Sequence, residues 1–232
     1  MTKPVSAERV LSVFRWLEPI EYREAYERQK RLWSLRLSGE MPDILLLLEH
    51  PPTFTIGKSS KLENLLLTKE ELAQRGISLF FTDRGGDITY HGPGQLVAYP
   101  IIDLRSWDKD IHRYIRSLEE VTIRTLADFS IAGGRDEKHV GVWVGSEKIA
   151  AIGVGVRKWV TMHGLALNVN PNLEHFALIN PCGILDRGVT SMTRLLGHEV
   201  PIEDVAERLA GHFAQVFSVR LESGPVNSLG WD

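Results

Sequence analysis

The chain has 232 residues, with 27 Lys and Arg against 30 Asp and Glu, eight His and a single Cys. That length carries a sizeable core, and a net charge of −3 excludes a global basic footprint for nucleic acid or an anionic membrane. One cysteine excludes an intramolecular disulfide and any metal site built on several thiolates, which fits a reducing compartment.

The first ten residues, MTKPVSAERV, put charges where a signal peptide needs an apolar stretch. The longest apolar runs, 44–48 and 96–102, fall far short of the roughly 20 residues of a membrane-spanning helix. The expectation is a soluble cytoplasmic protein with no membrane or nucleic-acid partner. Tyr22, Tyr26, Trp33 and Leu37 fall on helical spacing and predict a helix over 19–38, stopped by Gly39 and Pro42. The apolar run in 43–49 predicts a strand buried on both faces. His50, ahead of two prolines, marks a strand-to-turn boundary where it can hydrogen-bond backbone. Thr68 and Glu71 form a capping box for a short helix ending at Gly76. Strands follow over 77–84 and 96–104, separated by a glycine-rich loop. A second amphipathic helix covers 110–129, with Ile111, Ile115, Leu118, Val121, Thr122 and Leu126 on one side.

Residues 140–170 are rich in Val, Ile, Trp and Gly and predict strands, including a hairpin of HVGVWV and IAAIGVGVR around the turn GSEK. A short helical piece at 172–178 precedes the turn NPCG. A third helix covers 201–217, with Val205, Leu209, Phe213 and Val216 inward. Residues 222–232 read as a frayed tail. Helices and strands mix without βαβ alternation, which predicts an α+β class and one domain over 1–232.

Three segments can carry chemistry. In RGGDITYHGPGQ, 84–95, four glycines allow close backbone approach to a ligand, with Arg84, Tyr90 and His91 offering polar groups; a decorated hairpin loop is the alternative. The segment is no phosphate loop, and IGVGVRK at 152–158 fails GxGxxG because Lys158 stands in the last position. Lys148 lies at the hairpin turn, where a lysine is ordinarily solvated unless the turn points into a cleft. Cys182 lies in the NPCG turn. A lone cysteine is most often a small buried hydrophobe, but Pro181 and Gly183 place this one in a tight turn where backbone N–H groups can converge on an oxyanion. A nucleophilic thiol needs a cation or base beside it, and Lys148, His91 and His163 are the candidates. The histidines show no HxH or HExxH spacing, so no metal site is expected.

LEHPPTFTIG, RGGDITYHGPGQLVAYPIIDL, GVWVGSEKIAAIGVGVRKWVTMHGLALNVN and FALINPCGI, in this order, resemble one family, the octanoyltransferases of lipoate biosynthesis, over roughly residues 15–200. The resemblance implies an α+β fold, a mixed β-sheet with flanking helices, similar to the catalytic domain of biotin and lipoate protein ligases. It implies that Cys182 is the nucleophile forming an acyl-thioester, and that Lys148 lowers that thiol's pKa and shuttles protons. Acyl-substrate contacts then fall on Arg84, Gly85, Gly86, Asp87, Ile88, Thr89, Tyr90 and His91, on Ala151, Ile152 and Gly153, and on Gly164, Leu165 and Ala166. Asp87 stands in a variable slot of the motif. No cofactor is implied, because the octanoyl donor is carried on the phosphopantetheine of acyl carrier protein. The implied acceptors are lipoyl domains of 2-oxoacid dehydrogenase complexes and the glycine cleavage H protein. Such partners are acidic, and Arg157 and Lys158 are the first candidates for a basic docking patch. An ATP-dependent lipoate or biotin ligase and a lipoyl-domain amidotransferase on the same fold are the alternatives, and a non-catalytic lipoyl-domain binder is a third.

Overall fold

The structure, a computed structural model, describes residues 9–16, 18–60, 62–180 and 187–224. Cys182, with the rest of 181–186, lies outside the described residues, as do 225–232. In chain order the elements are β1 (Val10–Arg15), α1 (Tyr22–Ser38), β2 (Asp43–Leu48), β3 (Thr53–Ile56), α2 (Lys69–Gln74), β4 (Ser78–Phe81), β5 (Ile88–His91) and β6 (Gln95–Ile101). They continue with α3 (Ile111–Asp128), β7 (Gly134–Arg135), β8 (Val142–Val144), β9 (Glu147–Arg157), β10 (Val160–Asn168), α4 (Met192–Leu196), α5 (Ile202–Phe217) and β11 (Arg220–Ser223).

Every residue of β2 and β6 is buried, so the sheet holding them must be covered on both faces. That sheet has eight strands in the order β11-β1-β2-β6-β10-β9-β8-β7. β1 runs parallel to both neighbours, and every pairing from β2 onward is antiparallel. Leu45, Leu47, Ala98, Leu165 and Leu167 pack on one face against α3 and α5. Leu46, Val97, Tyr99 and Ala166 pack on the other against α1. A second sheet, β4-β3-β5, closes over Phe54, Ile88, Tyr90 and Phe176. The α+β class with a mixed sheet and flanking helices holds.

The predicted helices form, with α1 starting at Tyr22 instead of residue 19 and α2 ending at Gln74, two residues before Gly76. Gly39 closes α1 in the left-handed conformation that glycine adopts without penalty (φ 83°), and the Thr68–Glu71 capping box starts α2. The buried stripe of α1 is Tyr22, Ala25, Gln29 and Leu32; Tyr26, Trp33 and Leu37 flank it half-buried. In α3 the exposed Ile111 is off the core, and Tyr114, Glu119 and Thr125 are on it. Residues 173–178 form a 3-10 turn capped by Asn172. Three expectations change. Residues 88–91, read as loop, are a strand that pairs with β3. Val10–Arg15 is a strand that the charged N-terminal segment concealed. Glu222 and Ser223, expected in a frayed tail, pair in parallel with Ser12 and Val13 of β1.

A buried ion cluster ties the first crossover to the sheet. Arg36 Nε lies 2.6 Å from Asp43 Oδ1, which also accepts the Asp103 N–H at 2.9 Å. Burial raises the Asp43 pKa above its ordinary value, and the bonds from Arg36 and Asp103 oppose that.

Candidate active site

A cavity of about 250 Å³ lies where the small sheet meets the β6-β10-β9 face of the large one. It is larger than the ~150 Å³ apolar cavity known to take up benzene, so it admits an alkyl chain. Its floor is β9 and β10, where Ala151 pairs with Ala166 and Gly153 with Gly164, so small residues face each other in register. The backbone crosses most closely at Gly164: an added Cβ would overlap the Ala98 carbonyl oxygen and lie 2.6 Å from Pro100 Cδ.

The glycine-rich segment closes one end. Gly85 N–H donates to the Val154 carbonyl at 3.0 Å, which latches the loop onto β9. A Cβ on Gly153 would lie 3.0 Å from Gly85 O. Arg84 is buried, and its Nη2 donates to the Thr55 carbonyl at 2.8 Å and to Thr55 Oγ1 at 2.9 Å. Asp87 accepts from Asn64 Nδ2 at 2.6 Å and from the Ile88 N–H at 2.7 Å.

Arg84, Gly86, Asp87, Ile88, Thr89 and His91 line the cavity, as do Ala151, Ile152, Gly153, Gly164, Leu165 and Ala166. Gly85 and Tyr90 do not. Tyr90 points into the second core, where it packs on Phe54 and Phe176 and His175 Nδ1 lies 2.7 Å from its hydroxyl. Burial pushes that phenol up to about 12.

The three candidate partners of a thiol separate. His91 is buried, with Nδ1 2.8 Å from Gln95 Oε1, and burial holds its pKa well below the ordinary imidazole value. His163 pairs with Val154, six residues from Lys148 along β9, or about 20 Å of strand. Its φ of 59° falls where the ladder of β10 with β6 is interrupted: the register that pairs Ala98 with Leu165 sets Pro100 opposite His163, and proline has no N–H to give the His163 carbonyl. The His163 N–H donates to Gln29 Oε1 at 2.9 Å, and the Pro100 carbonyl accepts the Thr161 hydroxyl at 2.7 Å. His163 Nε2 lies 2.8 Å from Asp83 Oδ1; a carboxylate only accepts, so Nε2 carries the proton. That bond holds Asp83 down at about 2, while burial lowers the His163 pKa despite it, so the pair is a neutral imidazole on a carboxylate. His50, below the floor, accepts from Tyr99 OH at Nε2 (2.8 Å) and donates from Nδ1 to the Ile20 carbonyl (2.6 Å); burial lowers its pKa to about 4. The distal half of the cavity is walled by the neutral imidazoles of His91 and His163 and the phenols of Tyr22 and Tyr99, with the buried Arg84 guanidinium beside them.

Lys148 stands at the other end, among the lining residues, as the second residue of β9 and not in the turn, which is Gly145–Ser146. The register between β8 and β9 shifts by one: Trp143 faces Lys148, Val142 faces Ala150, and Ile149 is the extra residue. Ile149 and Ala150 both enter the α3/α5 core, which leaves Lys148 on the cavity side with Ala151 and Gly153. The Lys148 N–H donates to Gly188 O at 2.9 Å, and its carbonyl accepts the Thr190 N–H at 3.0 Å. Upstream of Cys182, the Asn180 N–H donates to Asn64 O at 2.8 Å. The flank after Cys182 is thus held at Lys148, and the flank before it at Asn64, which also bonds Asp87 of the glycine-rich segment.

The sequence reading missed the rest of this mouth: Lys138, His139, Val140, Trp143 and Arg187. Trp143 lies inside the GVW motif five residues before Lys148, which is the one local signal that could have found it. Arg157 and Lys158, read as beside the channel, sit at the far end of β9, about 30 Å of strand from Lys148, where Arg157 stacks on Trp33 at 5.6 Å. Among the described residues no cluster of His, Cys, Asp or Glu could hold a metal ion, and no helix is long and apolar enough to cross a membrane.

Comparison with known proteins shows the family and the fold. The model of the lipoyl protein ligase A/B catalytic domain matches residues 21–214. An octanoyltransferase of Caldicellulosiruptor saccharolyticus is 55% identical over 207 residues, 88% of each chain. One of Chloroflexus aggregans is 50% identical over 224 residues, 95% of this chain and 99% of that one. Among solved structures, a bipartite lipoate protein ligase of Thermoplasma acidophilum, described with its E2 lipoyl domain, superposes with a TM-score of 0.72 at 18% identity. That match covers 96% of this chain and 90% of the other, and shares the fold.

Proposed function

The chain belongs to the lipoyl protein ligase A/B catalytic-domain family, among the octanoyltransferases of lipoate biosynthesis, and on that premise we propose that it carries the octanoyl group as a thioester on Cys182. The donor is octanoyl-acyl carrier protein and the acceptor is a lysine amine of an apo lipoyl domain. What supports this reading is the hydrogen-bonded contact of Lys148 with Gly188 and Thr190, which holds the segment after Cys182 against the mouth of the cavity.

In the first half-reaction the Cys182 thiolate attacks the thioester carbonyl. The bond to the phosphopantetheine sulfur breaks, and that thiolate takes its proton from the Lys148 ammonium. One thioester replaces another, so the step is nearly balanced and calls for no nucleotide. In the second, the acceptor amine attacks octanoyl-Cys182, the carbon–sulfur bond breaks, and neutral Lys148 takes the amine proton. Amide formation drives this step. The acyl chain lies along Ala151, Gly153, Gly164 and Ala166. From Lys148 to Gly153 is about 16 Å of strand, whereas an extended eight-carbon chain spans about 9 Å, at roughly 1.3 Å for each of its seven carbon–carbon bonds, so the chain fits short of the Gly85–Val154 latch.

The test is incubation with octanoyl-acyl carrier protein in the absence of ATP, followed by mass spectrometry of the Cys182 peptide. An octanoyl adduct on Cys182, absent in Cys182→Ser and slowed in Lys148→Ala, is expected. No adduct, or one at another residue that persists in Cys182→Ser, overturns the mechanism. A requirement for ATP would return the ligase reading.

A further inference from the structure

We propose that Trp143 is the positioning residue for Lys148: its indole face holds the ammonium at the mouth of the cavity and favours the charged form that the thiolate needs. The inference rests on the acyl-thioester reading above. Trp143 and Lys148 are direct cross-strand partners, and the shift that makes Ile149 the extra residue falls beside them. The lysine stem passes Gly141, where an added Cβ would lie 3.4 Å from Lys148 Cε, and Nζ stands 4.8 Å from the Trp143 ring centroid. That is within the range at which a ring quadrupole attracts a cation, and tryptophan is the strongest of the aromatic partners.

The ring itself is fixed. Trp143 is 4% exposed, and its Nε1 donates to the His139 carbonyl at 3.2 Å. A second cation shares it: the Arg187 guanidinium carbon lies 5.1 Å from the same centroid. Arg187 is paired with Asp136 Oδ2 at 2.5 Å, and Asp136 also accepts the N–H groups of Lys138 and His139. These bonds, the Lys138 N–H first, hold the Asp136 carboxyl down at about 2, so it is a full counter-charge at neutral pH. Arg187 is therefore anchored on the same indole as Lys148, a like charge that Asp136 opposes.

The groups facing Lys148 from the packed elements are Arg187, Lys138 and His139 across the mouth, Asp87 on the glycine-rich segment, and Asp136 behind Arg187. Glu147, its neighbour in β9, is paired with Arg194 at 3.6 Å. Cys182 and Asp186 lie in the adjoining segment outside the described residues.

Removing the indole and removing Arg187 must move the Lys148 titration in opposite directions, which mere loss of packing would not do. The experiment measures the rate of octanoyl-Cys182 formation against pH for the wild type, Trp143→Phe, Trp143→Leu and Arg187→Met. The basic limb reports loss of the Lys148 ammonium. It should fall by about half a unit to one and a half units in Trp143→Leu, by less in Trp143→Phe, and rise in Arg187→Met. Basic limbs that stay at the wild-type position in both Trp143→Phe and Arg187→Met, or move the same way, overturn the proposal, even if Trp143→Leu fails to fold. If wild type forms no octanoyl-Cys182 at all, the underlying reading fails instead.

Discussion

Lys148 is bonded through its backbone to Gly188, its N–H donating at 2.9 Å, and two residues further on the Thr190 N–H returns to the Lys148 carbonyl at 3.0 Å. The two residues are forty apart in sequence. Their ladder ties the strand that carries the lysine to the segment that leaves Cys182, and does so through main chain, independently of either side chain. The lysine's main-chain position relative to that segment is therefore set by the sheet, while its Nζ lies 4.8 Å from the Trp143 ring centroid. That arrangement makes several outcomes measurable.

Filling the channel should discriminate by chain length. Ala151 and Ala166 face each other across β9 and β10 and both line the cavity. Ala151→Leu should displace about three methylenes of an octanoyl chain, about 2.4 kcal/mol at 0.8 kcal/mol each. The rate of octanoyl-Cys182 formation at low donor concentration should drop about fifty-fold, while that from a butyryl donor on the same carrier should hold. An equal loss with both donors would place the acyl chain elsewhere.

Acid should destabilise the fold before its carboxylates titrate. Unfolded His50 takes a proton near its ordinary 6.5, whereas the buried residue refuses it until about 4. The unfolded state then holds more protons in that window, so stability present above pH 6.5 is lost as pH falls, by about 3 kcal/mol. His91, also lowered by burial, acts in the same direction, and Asp83 adds a loss as pH falls from its ordinary range toward 2. Urea midpoints of the wild type should slope steeply between pH 6.5 and 4, and His50→Gln should flatten that slope. Identical slopes would contradict the assignment.

Arg36→Leu should cost about 3 kcal/mol in denaturant unfolding at neutral pH. It leaves the Asp43 carboxylate, 6% exposed, with only the Asp103 N–H for compensation. Because burial already raises the Asp43 pKa, the variant should recover part of its stability as pH is lowered, and Asp43→Asn in the same chain should restore part of it at pH 7. If the double variant is no better than the single, the ion pair is not the cause.

Two glycines should respond with opposite signs. Gly164→Ala drives a methyl into the Ala98 carbonyl and to 2.6 Å from Pro100 Cδ, neither of which can withdraw, so a loss of about 1–3 kcal/mol is expected. Gly211, inside α5, has nothing within 4 Å of an added Cβ, so Gly211→Ala should gain about 0.5–1 kcal/mol through helix propensity. Thermal unfolding of the two variants checks both.

Much of this was legible in the sequence, because much of it is local. The helices announce themselves through periodicity, the Thr68–Glu71 box and Gly39, all of which act within a few residues. β2 is legible as a strand buried on both faces because its run is apolar throughout. β5 was hidden by the glycines around it, and β1 by charged neighbours, since each is a strand only by virtue of a partner far along the chain. The glycine-rich segment was recognisable as a place of close approach, but not that it closes on Val154.

The family was carried by the sequence itself, in motifs whose side-chain chemistry does not depend on where they end up, and so were the roles proposed for Cys182 and Lys148. Which face Lys148 occupies was not. Strict alternation along β9 sets Lys148 with Ala150 and Ile152, away from Ala151 and Gly153. The extra residue at Ile149 turns it round, and an extra residue exists only relative to the partner strand, β8, that it fails to match. His163 tells the same story: its left-handed backbone lies where the sheet register sets Pro100, sixty-three residues earlier, opposite it. Residue chemistry is written in the chain, but strand register is a property of pairs of segments, and only the folded sheet chooses the pairs.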